Sequence, residues 1–205
     1  MKDMTVTYEV DGALYVNITN RCSNRCDFCI RNNGDGAYGS NSLWLSREPT
    51  CDEIFNSIVS CDPEKYSELV FCGYGEPTER LDDLISVAKR VKEKYSVKIR
   101  INTNGHSSLI HGCNTAPMYK DVIDTVSISL NAPNAKEYDK VCHSVFGENA
   151  FNGLLDFAAR VKNYVPKVVL TVVDIALTPE EIEECKKIAD SVGVPLRVRK
   201  YIGKE

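Results

Sequence analysis

Long apolar runs are missing from this chain. No stretch approaches the roughly 18–20 apolar residues of a membrane span. The opening MKDMTVTYEVDG has no apolar core of a secretion signal, so the expected address is the cytoplasm, with no membrane partner. A basic surplus is missing too. The 25 Lys and Arg face 29 Asp and Glu, for a net charge of −4, which weighs against a protein that coats nucleic acid. There is no linker, low-complexity tract or break in composition, so residues 1–205 read as one domain with a sizeable core. What is present, 43% hydrophobic and 26% charged residues, is the composition of an ordinary globular protein.

Cysteine, by contrast, is plentiful, with nine residues. Without a secretion signal the thiols are expected reduced. Clustered ones then read as metal ligands and scattered ones as small buried hydrophobes. Cys61, Cys142 and Cys185 fall in helix-like stretches and read as packing; Cys51, Cys72 and Cys113 are single and unassigned.

Six short β-branched runs, at 14–19, 68–75, 97–105, 124–132, 167–175 and 195–202, alternate with amphipathic stretches at 51–61, 80–95, 116–123, 151–165 and 178–193. Thr178-Pro179-Glu180-Glu181 supplies an N-cap, a proline for the first turn and early acids; Gly193 closes that helix. Alternating β and α units imply a parallel sheet with right-handed crossovers. Strand parity then chooses its form, because alternate residues face opposite sides. Ile99 and Ile101 oppose Arg100, Asn102 and Asn104; Val126, Ile128 and Leu130 oppose Ser127, Ser129 and Asn131; Val16 and Ile18 oppose Tyr15, Asn17 and Thr19. Arg197, Arg199 and Tyr201 share the polar parity of the last run. A doubly wound sheet would be apolar on both faces. One apolar and one polar face instead predict an α/β fold of the partial (β/α)6 TIM-like barrel kind, with parallel strands, open laterally and wet inside. A partly exposed sheet with a solvated face is the competing reading.

After the first run comes ITNRCSNRCDFCIRN, with Cys22, Cys26 and Cys29 in a loop at a strand C-terminal end, where parallel α/β folds place their chemistry. Structural zinc wants four protein ligands, and no second pair is evident. A cubane iron–sulfur cluster with three thiolates keeps one iron open for a ligand that is not protein. The pattern C-x3-C-x-aromatic-C, with Phe28 as the aromatic, resembles the signature of the radical S-adenosylmethionine (SAM) superfamily. The resemblance implies a [4Fe–4S] cluster whose open iron is chelated by the amino and carboxylate groups of SAM. It also implies reductive cleavage to a 5′-deoxyadenosyl radical that abstracts hydrogen from a substrate. FCGYGEPT at 71–78 resembles the superfamily's GGEP motif, which gives Gly73, Gly75 and Glu76 the SAM amino group, with Tyr74 departing from the pattern. By the same likeness Asn102, Asn104, Ser129 and Asn131 hold the carboxylate and ribose of SAM, and Phe28, Val173 and Tyr201 pack its adenine. No further cysteine cluster follows, so no auxiliary-cluster domain is expected. More narrowly, LYVNITNRCSNRCDFCIRN, LWLSREPT and LTVVDIA resemble a small group named for association with TatD-type hydrolases, a name that specifies no reaction.

The likeness leaves the substrate unknown. Inward-facing Arg100 and Arg199 suggest an anionic one, since buried guanidiniums need anions; pairing with protein acids is the plainer account. The segment at 32–45, which holds Trp44, reads as a lid or as a surface loop. An electron donor such as flavodoxin or ferredoxin is implied. Two rivals stand beside this enzyme. One is a non-catalytic zinc or iron–sulfur binding module, and the other, within the class, is an activase of a partner protein.

Overall fold

The computed structural model describes residues 4–201; the end of the last expected strand, from residue 202, lies outside them. Seven strands form one sheet in sequential order. They are β1 (Thr7–Val10), β2 (Ala13–Val16), β3 (Leu69–Phe71), β4 (Ile99–Thr103), β5 (Thr125–Ser129), β6 (Lys167–Val173) and β7 (Leu196–Arg199). The six from β2 to β7 run parallel, while β1 pairs antiparallel with β2. The helices are α1 (Cys51–Ser60), α2 (Leu81–Lys94), α3 (Ser107–His111), α4 (Ala135–Cys142), α5 (Asn149–Val161) and α6 (Pro179–Val192). A strand order that never reverses puts every right-handed crossover on the same face. This is the expected partial barrel, left open because β1 and β7 do not pair among the described residues.

The apolar parity of each strand meets the helices. Val16, Phe71, Ile99, Ile101, Val126, Ile128, Leu170 and Val172 join Ile54 and Ile58 of α1, Leu84 and Val87 of α2, and Leu154 and Phe157 of α5 in one buried cluster. Each such side chain, fully buried, contributes about 1.5–3 kcal/mol. Helix starts follow the expected chemistry. Thr178 Oγ1 accepts from Glu181 N at 3.2 Å while the Glu181 carboxylate accepts from Thr178 N at 2.8 Å, and Gly193 ends α6 at φ 75°.

Besides the short α3, two elements go beyond the sequence expectation. Asp11 and Gly12, at φ 48° and 76°, make a two-residue turn that matches the twist of a hairpin, and so add β1 at the sheet edge. The other is α4, a two-turn helix capped by Asn134, whose Oδ1 accepts from Glu137 N at 2.9 Å.

Parity needs two corrections. The inner face is not uniformly polar, for Val70 and Val169 sit on it, buried at 0% and 8% exposure. Apolar residues thus reach the inner face between the polar C-terminal mouth and the Arg100–Glu68 ion pair at the floor. At the other extreme, Arg197 is exposed and Val198 is 47% exposed, because β7 is an edge strand with no neighbour beyond it.

Candidate active site

A cavity of about 230 Å³ opens at the C-terminal ends of the strands. The three clustered cysteines, Phe28, Gly73, Gly75, Glu76, Asn102, Asn104, Ser129, Asn131, Val173, Arg199 and Tyr201 all line it. Residues that lie far apart in sequence are therefore brought to one place. Arg100 is the exception. It sits deeper, 2.9 Å from Glu68 Oε1, and also donates to Asn102 Oδ1 at 3.2 Å and the Tyr15 hydroxyl at 3.4 Å. It pairs with a protein acid at the barrel floor, so it does not fill the anion-clamp role expected of it.

The cysteine loop is held by α4. Arg25 N donates to Cys142 O at 2.9 Å, Asp27 N to Val141 O at 3.0 Å, and Val145 N to Ser23 O at 2.9 Å. Beneath these bonds runs a buried polar chain. Asn24 Nδ2 donates to the Tyr138 hydroxyl at 2.9 Å, which lies 3.2 Å from His106 Nε2; His106 Nδ1 lies 3.3 Å from Ser23 Oγ. Asn104 Nδ2 donates to the same Ser23 oxygen at 2.9 Å, and its Oδ1 accepts from His106 N at 3.0 Å. Asn104 is thus committed at both ends of its side chain to holding the loop. His106, just beyond β4, is fully buried, and burial lowers its pKa to about 4.

Burial pushes the Cys22 thiol up to about 12, with the Glu76 carboxylate adding to the effect. Burial raises Cys29 as well, and Cys26 is raised first by the neighbouring thiol of Cys142 and then by burial. Cys142 therefore does more than pack, because it lies against one of the clustered cysteines. Metal binding at these thiols must expel protons.

Glu76 is 4% exposed. Its Oε1 accepts from Thr78 N at 3.0 Å, Thr78 Oγ1 at 2.7 Å and Thr103 Oγ1 at 2.7 Å; its Oε2 accepts from Asn104 N at 2.7 Å. Burial still raises its pKa despite these donors, so a cation arriving beside it gains a strong partner. Thr103 shares the parity of Ile99 and Ile101, but the strand ends there and its hydroxyl turns to Glu76. The glycines, which line the cavity, also have a structural purpose. A Cβ on Gly75 would lie 2.3 Å from Thr19 O, and one on Gly73 would lie 2.1 Å from Asn17 Oδ1. They let the β3 loop press against the β2 loop, and Glu76 N donates to Arg21 O at 2.8 Å across that contact.

Tyr74, between those glycines, lines the cavity and joins a second apolar cluster with Tyr8, Val10, Ala37 and Leu43. Its hydroxyl donates to Gly34 O at 2.6 Å, and Trp44 packs edge-on against its ring at 5.0 Å. The glycine-rich segment is thereby pinned as a wall of the cavity, with Ala37, Tyr38 and Leu43 facing in. Tyr8, Tyr38, Cys72 and Lys200 line the cavity as well and escaped the sequence reading. Tyr8 was missed because β1 was, although Asp11-Gly12 signals a hairpin. Cys72 shares the parity of Val70 and could have been found from it.

The Radical SAM superfamily model matches residues 16–192. The chain belongs to the radical SAM superfamily. This is a superfamily of enzymes whose cofactors are a [4Fe–4S] cluster and SAM. Over 189 residues the chain is 28% identical to the tungsten-containing aldehyde ferredoxin oxidoreductase cofactor-modifying protein of Pyrococcus furiosus, covering 86% of this chain and 46% of that protein. Among solved structures it superposes on a radical SAM methyltransferase from Sphaerobacter thermophilus with TM-score 0.62 and 16% identity, covering 95% of this chain and 68% of that one. It also superposes on SuiB of Streptococcus suis bound to SAM, with TM-score 0.63 and 17% identity, covering 93% and 39%. The chain spans less than half the length of the curated relatives it matches.

The residues present fit the radical SAM cofactors. Among the described residues no three His, Cys, Asp or Glu side chains converge on a point as a single metal ion requires. A cubane takes its thiolates on separate irons, which suits three thiols spread along one wall. Beyond them, the buried Asn131 Oδ1 faces the cavity without a partner, as a site for a polar small molecule would leave it. No helix among the described residues is long and apolar enough to cross a membrane.

Proposed function

We propose that this chain acts as a radical SAM enzyme on an unidentified substrate, and that Cys22, Cys26 and Cys29 ligate its cluster. The observation that carries the reading is that the three thiols and the buried Glu76, which pairs with no Lys or Arg among the described residues, line one cavity. When bound, the reduced cluster and SAM supply a 5′-deoxyadenosyl radical for hydrogen abstraction. Glu76 receives the ammonium of SAM, with Gly73 and Gly75 shaping its loop. Ser129 and Asn131 face the ribose and carboxylate, with Asn102 beside them, and Asn104 positions the cysteine loop. Phe28, Val173 and Tyr201 form the apolar sides against which the adenine rests. Tyr201 is fixed for this by its backbone N–H, 2.9 Å from Asp174 Oδ1, and by its hydroxyl, 3.0 Å from Asn33 Nδ2. The wall at 34–45 limits water access from the β1 side.

Electrons come from a small donor such as flavodoxin or ferredoxin in a cytoplasmic setting. The narrower likeness to the group named for TatD-type hydrolases belongs to this proposal and names no reaction. Anaerobic reconstitution with iron and sulfide, followed by assay for 5′-deoxyadenosine, tests the reading. Wild type is expected to cleave SAM under a strong reductant, while Cys26→Ala loses cleavage by about 100-fold or more, the scale on which removing a metal ligand acts. A colourless zinc protein that does not bind SAM would contradict it.

A further inference from the structure

Two arginines share the polar parity inside the barrel, and the fold treats them differently. Arg100, on β4, is neutralised by Glu68 at 2.9 Å. Arg199, at the end of β7, lines the cavity. Among the described residues no carboxylate reaches it within ion-pair distance. The Nε of each arginine is buried with no hydrogen-bond partner. The terminal nitrogens of Arg100 nevertheless reach Glu68, Asn102 and Tyr15, whereas Arg199 has no such acid among the described residues to hold it. An N–H of a guanidinium withdrawn from water without an acceptor is costly, so its persistence at a cavity wall argues that a ligand supplies the acceptor. Lys200 follows it on the same lining.

The neighbours of Arg199 locate this part of the cavity. Its charge acts on the Cys72 thiol and the Tyr38 phenol. Cys72 also feels the carboxylate of Glu76, so the thiol stands within the field of both groups. Tyr8 and Tyr38 supply aromatic surface on that side. Tyr8 is 7% exposed, its ring lies 5.3 Å from that of Tyr15, and Tyr38 packs on Tyr15 in turn at 6.4 Å.

We propose that this half of the cavity is the substrate subsite, where Arg199 binds a carboxylate or phosphate on a substrate whose body packs against Tyr8 and Tyr38. The inference rests on the radical SAM reading, which places the amino-acid end of SAM beside the cysteines and Glu76 and leaves the arginine for a second molecule. A guanidinium presents a planar fork to either anion, and the test separates the two.

The experiment uses the anaerobically reconstituted holoprotein loaded with SAM. Inorganic phosphate, benzoate and the neutral isostere benzamide serve as probes, each read by thermal melting. Phosphate or benzoate is expected to raise the melting midpoint of wild type by about 3 °C near saturation, while benzamide does not. Whichever anion acts names the group the subsite prefers. Arg199→Gln is expected to abolish the shift yet alter SAM affinity by less than about twofold. Arg197→Gln, on the exposed part of the same strand, is expected to keep the shift. If the glutamine variant does not accumulate, Arg199→Lys replaces it. That variant keeps the charge but loses the fork, and is expected to weaken the anion at least about fivefold, with SAM affinity unchanged.

The proposal is overturned if neither anion shifts wild type, or if the shift survives in Arg199→Gln. It is also overturned if either Arg199 variant weakens SAM by about tenfold or more, which would give the arginine to the SAM carboxylate. Failure of the underlying reading looks different: wild type and variants alike would hold no iron and bind no SAM.

Discussion

On the side of the cavity built by the cysteine loop, β3, β4 and α4, polar groups hold one another. On the side built by β5, β6 and β7, two buried polar atoms at the lining stay unpartnered. Glu76 accepts four hydrogen bonds, and Asn104, Ser23, His106 and Tyr138 form a buried chain. Where the first side leaves an atom open, at Asn17 Oδ1, Asn24 Oδ1 and Arg100 Nε, the same side chain is anchored through another nitrogen, 2.7 Å from Leu43 O, 2.9 Å from the Tyr138 hydroxyl and 2.9 Å from Glu68 Oε1 respectively. On the second side Asn131 Oδ1 and Arg199 Nε are buried with no partner, and Asn131 holds a left-handed backbone at φ 55°, a conformation that strains a non-glycine residue. The first side is a rigid mount of the kind a fixed cofactor needs. The second keeps its hydrogen-bonding capacity for what enters.

If that difference is real, substitutions on the two sides should separate in their effect on stability. Gly75→Ala should be the most damaging, because its Cβ would meet backbone oxygen at 2.3 Å and neither loop can retreat. A loss of about 3 kcal/mol, or about 6–12 °C in melting midpoint, is expected from thermal denaturation. Acid should come next. His106 is buried neutral with its pKa lowered to about 4 from 6.5. The unfolded chain therefore binds the extra proton in that window, and stability falls as pH drops from about 6.5 to about 4, by up to about 3 kcal/mol. Urea titrations across the window should show the slope, and His106→Asn should flatten it; an unchanged slope would place the acid sensitivity elsewhere. Glu76→Gln turns an acceptor-only group into one that sets an N–H against a donor, at a cost of about 2 kcal/mol, and should weaken SAM binding in the same sample. Arg199→Gln should be the mildest, within about 0.5 kcal/mol of wild type in the ligand-free chain. A large loss there would erase the distinction between the two sides.

Much of the first side was legible in the sequence. Three thiols in eight positions and a Gly-x-Gly-Glu-Pro stretch at a strand end are local signals, and strand parity carried Asn102, Ser129 and Asn131 to the right face. What was illegible depends on tertiary contact. Nothing in AKEYDKVC announces that its carbonyls will clamp the cysteine loop, nor that Cys142 will lie against Cys26. The fate of the two arginines could not be separated either, since both share a parity and only the position of Glu68 decides between them. The hairpin β1–β2 was available from Asp11-Gly12, and with it Tyr8. The glycines were identified by likeness to a motif; the close approach they permit between the β3 and β2 loops depends on tertiary contact.

The account stands or falls on a cubane held by three thiolates with one iron left for SAM. Mössbauer spectroscopy of 57Fe-reconstituted protein, recorded before and after SAM is added, addresses this directly. About four irons per chain are expected, one of which changes its signal when SAM binds while the rest do not. A spectrum in which all the irons respond alike, or none responds, would contradict it.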